Sequence, residues 1–167
     1  MQETPQQYAQ RVLGYLEGKD TMAVLAATPG ELEKLVNGVA RKRLDERPSP
    51  DKWSVTMILA HIADTEIVQG YRIRLVLGSN GIAIQGFDQD AWAGVSDYPS
   101  HDPALSLKDF RVIRERTLRL LKGLSTEQWS QYGMHSERGK ETVQRITEMM
   151  AGHDLNHLKQ IRAILGK

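Results

Sequence analysis

Three of the five histidines in this sequence combine a residue type and a spacing that suit metal chemistry. His153 and His157 are four residues apart, so their rings emerge on the same side of a helix. Both fall in the middle of an apolar stripe, and His61 lies within the wide apolar arc of a second predicted helix. We therefore expect all three rings to face the interior of a helical domain.

Burial of three imidazoles without partners would be costly, because each ring carries polar nitrogens. Neutral imidazole is a good ligand for zinc, nickel, copper or iron, and three such nitrogens can lie about 2.0–2.1 Å from a zinc ion. Three protein ligands leave a position open for water or substrate, as in catalytic sites. The sequence predicts a divalent metal site at His61, His153 and His157. The alternative is three core histidines that are satisfied by hydrogen bonds.

The remaining polar residues around these positions do not identify a general base. His101 and His135 stand among polar residues in predicted loops, so we expect them to be exposed and outside the metal site. Asp154 stands where the His-Glu-x-x-His peptidases carry a catalytic glutamate, and it is one methylene shorter. A peptidase of that type is therefore not expected.

Helical periodicity predicts the elements that must position these histidines, with almost no strand. The predicted helices are about Pro5–Glu17, a second that begins with Thr28 as its cap, Ser54 to about Leu77, about Ala104–Gly123 and Glu141–Leu165, with a short helical turn after Ser125. Thr28, Pro29 and Glu31 have the residue types preferred at a helix start. Tyr132–Lys140 is predicted to be a polar loop.

The longer helices predict an all-α fold, a four-helix bundle, in a single domain spanning residues 1–167. Ile82–Pro103 is predicted to be a long irregular connection between the third and fourth helices. Connections of this length are uncommon in compact domains and are often functional. This length favours a crossover topology over a simple up-and-down series.

Composition excludes several classes of protein. The 22 basic and 21 acidic residues give a net charge of +1, which argues against a broad nucleic-acid interface. The absence of cysteine excludes disulfides, thiolate zinc sites and cysteine nucleophiles. No apolar run reaches transmembrane length, and Met1–Gln10 lacks the pattern of a secretory signal. We expect a soluble cytoplasmic protein with neither nucleic-acid nor membrane partners.

Two segments around the histidines resemble the DinB-like (YfiT-type) family. Trp53-Ser54-Val55 followed by Ala60-His61-Ile62-Ala63-Asp64-Thr65-Glu66 resembles the first metal-ligand helix of that family, and His153-Asp154-Leu155-Asn156-His157-Leu158-Lys159-Gln160-Ile161 resembles its C-terminal signature. Phe87–Trp92 and Arg114–Thr117 occupy the expected places between them. The resemblance covers nearly the whole chain.

The resemblance implies a four-helix bundle with a crossover connection and a homodimer. It also implies zinc or nickel held by His61, His153 and His157. Family relatives include metal-dependent hydrolases and transferases or isomerases that use bacillithiol, mycothiol or glutathione. We therefore expect an enzyme for a small-molecule substrate, in which the ion activates either water or a low-molecular-weight thiol. The alternative is a non-catalytic dimeric helical module with a structural metal.

Polar residues beside the histidines allow either orienting or structural roles. We expect Glu66 to pair with an arginine inside the bundle, and Asp154 to lie on a solvated face. Asp64 and Asn156 could each orient a histidine or lie in solvent. Gln160 could hydrogen-bond a metal-bound water or lie at the edge of the core.

Residues farther from the histidines could shape a pocket. Arg116 is expected to form an ion pair with a bundle carboxylate, with binding of an anionic substrate group as the alternative. Phe87, Trp92 and Tyr98 could form the mouth of the pocket or cover one end of the core. Trp53 is expected to pack against its neighbour at the start of a helix.

Overall fold

The computed structural model describes residues 3–167, which form eight helices and one small sheet. In chain order the elements are α1 (Pro5–Gly14), α2 (Thr21–Val36), α3 (Arg41–Asp45), α4 (Val55–Gly78), β1 (Ala83–Ile84), α5 (Gln89–Val95), a 3-10 turn (Tyr98–Ser100), α6 (Pro103–Lys122), α7 (Thr126–Ser130), β2 (Tyr132–His135), β3 (Gly139–Thr142) and α8 (Val143–Leu165). Met1 and Gln2, part of the segment predicted to lack a secretory signal, lie outside the described residues. Within residues 3–167, every helix is too short or too polar to cross a membrane.

Four long helices, α2, α4, α6 and α8, form the bundle. Both α2 and α4 pack against α6 and α8, so α2 and α4 occupy opposite corners. The connections 37–54 and 123–142 therefore cross between opposite corners, whereas segment 79–102 joins the neighbours α4 and α6. The predicted all-α four-helix bundle with crossover connections is confirmed. The crossing segments are 37–54 and 123–142, however, and Ile82–Pro103, whose length led to the crossover prediction, does not cross.

The start of α4 agrees with the sequence prediction, whereas the start of α2 does not. Ser54 caps α4 and accepts a hydrogen bond from the backbone N–H of Met57. The N-cap of α2 is Asp20 rather than Thr28, and the helix continues through Pro29. Thr28 is buried, and its hydroxyl donates to a backbone carbonyl one turn earlier.

Proline is tolerated inside α2 because another residue replaces its missing donor. Pro29 has no N–H, so the carbonyl of Leu25 cannot accept the usual helical hydrogen bond. The guanidinium of Arg114 donates to that carbonyl at 3.0 Å. A side chain from α6 thus completes the backbone of α2, which no local sequence pattern could indicate.

Residues 132–142 form a β-hairpin rather than the predicted polar loop. In the sheet, β2 pairs antiparallel with β3 and parallel with β1. Gly133 packs against Ile84 so closely that a Cβ there would lie 2.4 Å from the Ile84 side chain. Strands of two to four residues are too short to show a periodic pattern. Their pairing depends on contacts between distant segments.

The bundle core consists of two apolar clusters separated by a polar layer. One cluster includes Leu32, Ile58, Ile62, Phe110 and Leu158, and the other includes Leu25, Ile73, Leu121, Ile146 and Met150. Between them lie the buried polar residues Thr28, Glu66, Arg114 and Asp154, one from each bundle helix. Charged groups in the middle of a core need partners, because burial of an unpaired charge is costly.

Candidate metal centre

The three histidines that the sequence singled out meet between α4 and α8. Nε2 of His153 lies 3.0 Å from Nε2 of His61 and 3.1 Å from Nε2 of His157. All three residues are buried, with 2 to 8% of their surfaces exposed. The rings face the bundle interior, as the apolar stripes on the two helices predicted. One nitrogen from each ring lies within 4.8 Å of the others, an arrangement that could hold a metal ion.

Two residues contact the histidine rings, one through a hydrogen bond and one through packing. Gln160 Oε1 accepts a hydrogen bond from Nδ1 of His157 at 2.9 Å, which leaves the Nε2 lone pair of His157 directed at the other histidines. Gln160 is therefore an orienting residue one turn along the same helix. Trp53 covers His61, with ring centroids 4.9 Å apart, so its packing at the helix start extends to the site.

Burial keeps the three imidazoles neutral. It lowers the pKa of His61 to about 3 and that of His157 to about 4. Burial also holds the pKa of His153 well below its ordinary value, with further lowering by His157, His61 and Arg114. Neutral imidazole is the form that binds metals, so the cluster is ready for a cation at neutral pH.

The contacts among the rings fit a metal ion better than they fit shared protons. His157 already carries its proton on Nδ1, so a single N–H on His153 can serve only one of the two close contacts well. Nδ1 of His61 is buried and has no hydrogen-bond partner among the described residues. Two nitrogens that each lie about 2.0–2.1 Å from one ion are separated by roughly 3 Å. The observed spacing thus suits a divalent metal.

A buried ion-pair network lies beside the histidine cluster, in the polar layer. Nη1 of Arg114 donates to Asp154 Oδ2 at 2.6 Å, and Nη2 donates to Glu66 Oε2 at 2.7 Å. All three side chains are at most 2% exposed. Burial by itself would lower the pKa of Arg114, but Asp154 and Glu66 raise it, so the guanidinium stays charged. Because Asp154 directly follows His153, its ion pair with Arg114 holds this part of α8 against α6.

The network confirms one prediction and corrects two. Glu66 pairs with an arginine inside the bundle, as expected. Asp154 is buried rather than solvated, because α8 packs against α1 and α2 as well as α4 and so has more than one buried face. Arg116 is exposed, and Arg114 forms the predicted ion pair instead.

A pocket of about 340 Å³ opens onto the histidine cluster. His61 and His153 line it, and Thr65, Gln69 and Arg72 continue the wall along one face of α4. The other walls come from the segments 3–8, 86–89 and 135–138 and from Met149. A site of this size suits a small molecule.

The N-terminal helix forms part of the pocket because of a close approach at Gly152. A Cβ on Gly152 would lie 2.4 Å from the carbonyl oxygen of Val12, so only glycine allows α1 to pack this close to α8. The contact brings Tyr8 of α1 into the wall of the pocket that His153 also lines. Nothing in the sequence pattern connected α1 with the site.

The aromatic residues of the long connection divide between the pocket and the core. Phe87 lines the pocket, and its ring packs against Trp92, with centroids 5.2 Å apart. Trp92 itself is 38% exposed. Tyr98 is fully buried and donates a hydrogen bond to Asp64 at 2.7 Å, so both residues cover one end of the core.

The two remaining histidines behave differently from each other. His101 lies near the surface against the carbonyl of Ser96, outside the cluster as expected. The prediction that His135 is exposed is wrong, because the unforeseen hairpin buries it to 3% exposure in the pocket wall. Asn156 accepts a hydrogen bond from Arg11 at the surface and does not orient a histidine.

Sequence reasoning missed Arg72, although a signal for it existed. The residue lies on the same face of α4 as His61, between the buried residues Gly70 and Ile73. A basic residue within an apolar arc could have been identified as a pocket residue. For His135 and Tyr8 there was no such signal, since both reach the pocket through tertiary contacts.

Comparison with known proteins identifies relatives over most of the chain. A family model described as the DinB superfamily matches residues 25–161. YfiT of Bacillus subtilis, described as a probable metal-dependent hydrolase, is 27% identical over 148 residues, which cover 87% of this chain and 83% of YfiT. A relative from Oceanobacillus iheyensis with a similar description is 28% identical over 134 residues, or 80% of this chain and 77% of that protein.

A solved structure shows the same fold. The structure of Bacillus subtilis YfiT, described as having an unusual four-helix bundle topology, matches with a TM-score of 0.78 at 22% identity. The match covers 98% of this chain and 90% of that one.

Proposed function

The chain belongs to the DinB superfamily, and on that premise we propose that it is a metal-dependent hydrolase whose His61, His153 and His157 hold one divalent ion, zinc or nickel. The observation that carries the proposal is the meeting of three buried, neutral imidazoles at the wall of a pocket open to small molecules. The descriptions of the relatives as metal-dependent hydrolases support the reaction class.

Several residues of the chain have distinct roles at such a site. A bound divalent ion with an open position acts as a Lewis acid toward the bond to be cleaved. Gln160 holds the ring of His157 in the ligating orientation, and Trp53 shields His61. Thr65 Oγ1 lies 3.4 Å from His61 Nε2, where its hydroxyl can hydrogen-bond a group bound in the pocket.

The sequence leaves several features of this function as predictions. Homodimer formation and a cytoplasmic location stay expectations of the family resemblance and the composition. A reaction in which a low-molecular-weight thiol replaces water uses the same ion and the same pocket. The experiments below therefore include both chemistries, together with a module that binds metal without catalysis.

Elemental analysis of protein purified without a histidine tag tests the metal site. We expect about one equivalent of divalent metal in the wild type and in the control variant His101→Ala, whose histidine lies outside the cluster. The double variant His153→Ala, His157→Ala should carry none. Stoichiometric metal in the folded double variant would remove the proposed site.

Activity assays on metal-loaded protein separate the possible reactions. A hydrolase should cleave members of an ester and amide panel without added thiol. A thiol transferase should turn over only when glutathione or bacillithiol is supplied. Metal binding with turnover under neither condition would contradict the enzyme and favour the non-catalytic module.

A further inference from the structure

Arg72 is a buried cation that forms no ion pair among the described residues. The residue is 4% exposed and lines the pocket, and its Nη2 donates to the backbone carbonyl of Gln85. Within residues 3–167 it forms no ion pair with a carboxylate. Burial of an unpaired charge is costly, and Arg114, which is also buried, has two carboxylate partners.

The charges near Arg72 do not compensate it. The pKa of Arg72 is lowered to about 10, first by burial and then by Arg138, while Glu141 and Glu137 raise it. The residue therefore remains a cation at neutral pH. Both oxygens of Glu141 already accept from Arg138, at 2.7 and 2.9 Å. Glu137 is exposed in the hairpin turn and lines the same pocket, but it forms no ion pair with Arg72.

A second donor without a partner lies in the same pocket wall. His135 is 3% exposed, and its Nδ1 accepts a hydrogen bond from the backbone N–H of Glu137 at 3.2 Å. The neutral ring therefore carries its proton on Nε2. That nitrogen is buried and has no partner in the part of the chain that the structure describes. Buried donors are normally satisfied, so an acceptor from outside the chain is expected.

The arrangement along α4 relates these donors to the metal centre. His61, Thr65, Gln69 and Arg72 line one wall of the pocket in register with the helical repeat. Eleven residues of helix rise about 16 Å, and the side chain of an arginine leans toward the helix N-terminus. A ligand that contacts both Arg72 and the histidine cluster is therefore about 10 Å long.

We propose that Arg72 and His135 form a subsite for an oxyanion group of the substrate, a carboxylate or a phosphate. The planar guanidinium offers parallel N–H donors to such a group, and Nε2–H of His135 adds another. The substrate class is thus a small molecule with an anionic group at one end and the reacting bond about 10 Å away. The reacting bond rests on the proposed function, whereas anion binding does not.

Titration of the metal-free protein with glutarate and, separately, with inorganic phosphate tests the subsite. In NMR spectra, the side-chain N–H resonances of Arg72 and His135 should shift as the anion is added. The dependence of these shifts on anion concentration gives the dissociation constant. Arg72→Gln keeps a donor for the Gln85 carbonyl but loses the charge, so binding should weaken roughly 10- to 100-fold. Arg74→Gln is the matched control, because Arg74 is exposed on the same helix and also donates to a backbone carbonyl. Its binding should stay within about twofold.

His135→Asn provides an independent variant in case the arginine variant fails to fold. Asparagine can keep an acceptor for the N–H of Glu137 while it removes the Nε2 donor, so binding should weaken by about 3- to 10-fold. Shifts with glutarate alone identify a carboxylate, and shifts with phosphate alone identify a phosphate.

Two results would overturn the inference: no binding of either anion by the wild type, or unchanged binding in a folded Arg72→Gln or His135→Asn variant. Metal content, measured on the same preparations, keeps the two proposals apart. Anion binding without a metal site contradicts only the proposed function. A metal site without anion binding contradicts only the subsite.

Discussion

Two polar clusters share the helices α4 and α8 and differ in whether the chain completes them. In the polar layer, Arg114 is paired with Glu66 and Asp154, so each buried charge has an opposite charge in contact. In the pocket, three imidazole nitrogens face one another and the cation of Arg72 has no carboxylate partner among residues 3–167. The first cluster has the character of a structural element, and the second that of a binding site.

The difference shows how to separate structural from functional polar groups in a core. Burial alone does not do so, because Arg72 and Arg114 are both at most 4% exposed. The presence of an opposite charge does separate them, because an ion pair that is completed within the chain needs no ligand from outside. Some atoms of the polar layer, such as Arg114 Nε and Glu66 Oε1, make no further hydrogen bond, but each charged group in the layer contacts an opposite charge. The predictions below test this distinction, beginning with the largest effect.

Arg114→Gln should reduce the free energy of unfolding by about 3–5 kcal/mol, because it leaves two carboxylates buried without a counter-charge. It also removes a donor to the carbonyl of Leu25. Urea denaturation followed by circular dichroism measures the change. A loss below about 1 kcal/mol would contradict a structural role for the layer.

The metal-free protein should lose stability as the pH falls below about 6.5, the ordinary pKa of an unfolded-state histidine. The folded-state pKa values of His61 and His157 are about 3 and about 4, and that of His153 is also lowered, so the unfolded chain binds more protons in this range. The loss ends only near those lower values. Between pH 6.5 and 5.5 it should amount to roughly 1 kcal/mol for each histidine, or about 3 in total.

Urea denaturation at several pH values in the presence of a chelator measures this dependence. The control His101→Asn should keep the full slope, because His101 lies outside the cluster. His153→Ala should reduce it. A pH-independent stability between 6.5 and 5.5 would mean that the cluster is not held in its neutral form.

Gln160→Ala should weaken metal binding by about 10- to 100-fold, because the ring of His157 loses the hydrogen bond that orients it. Competition with a chromophoric chelator measures the affinity. Gln144→Ala is the matched control on the same helix, where Gln144 donates to Glu148 at the surface. Equal affinities in the two variants would show that His157 does not depend on Gln160.

Arg72→Gln should change the free energy of unfolding by no more than about 1 kcal/mol, the smallest effect of the series. Loss of the hydrogen bond to Gln85 is offset by removal of a buried cation without a counter-charge. The same denaturation assay gives a direct comparison with Arg114→Gln. A loss as large as that of Arg114→Gln would remove the distinction between the two clusters.

The features that depend on the residue pattern within a single helix could be predicted from the sequence. Apolar residues at helical spacing indicated the four long helices, and the cap at Ser54 located the start of α4. The same periodicity showed that His61, His153 and His157 point inward, because their neighbours on each face are apolar. These features depend on residues within a few turns of one another.

The features that were missed depend on contacts between distant segments. Pro29 and Thr28 have the residue types of a helix start, but Arg114 supplies the donor that lets α2 continue through the proline. Asp154 lies off the apolar stripe of α8, but that helix has neighbours on several sides. The hairpin that buries His135 consists of strands too short for a pattern.

The sequence by itself determined an all-helical bundle and three inward histidines on two of its helices, since helix geometry relates residue spacing directly to direction. Tertiary structure alone decided which polar groups find partners. Arg114 meets two carboxylates, whereas Arg72 faces a pocket. The difference depends on the neighbouring segments and not on the helix that carries each arginine. A charge interacts with whatever lies within a few ångströms, and in a folded chain those neighbours are distant in sequence.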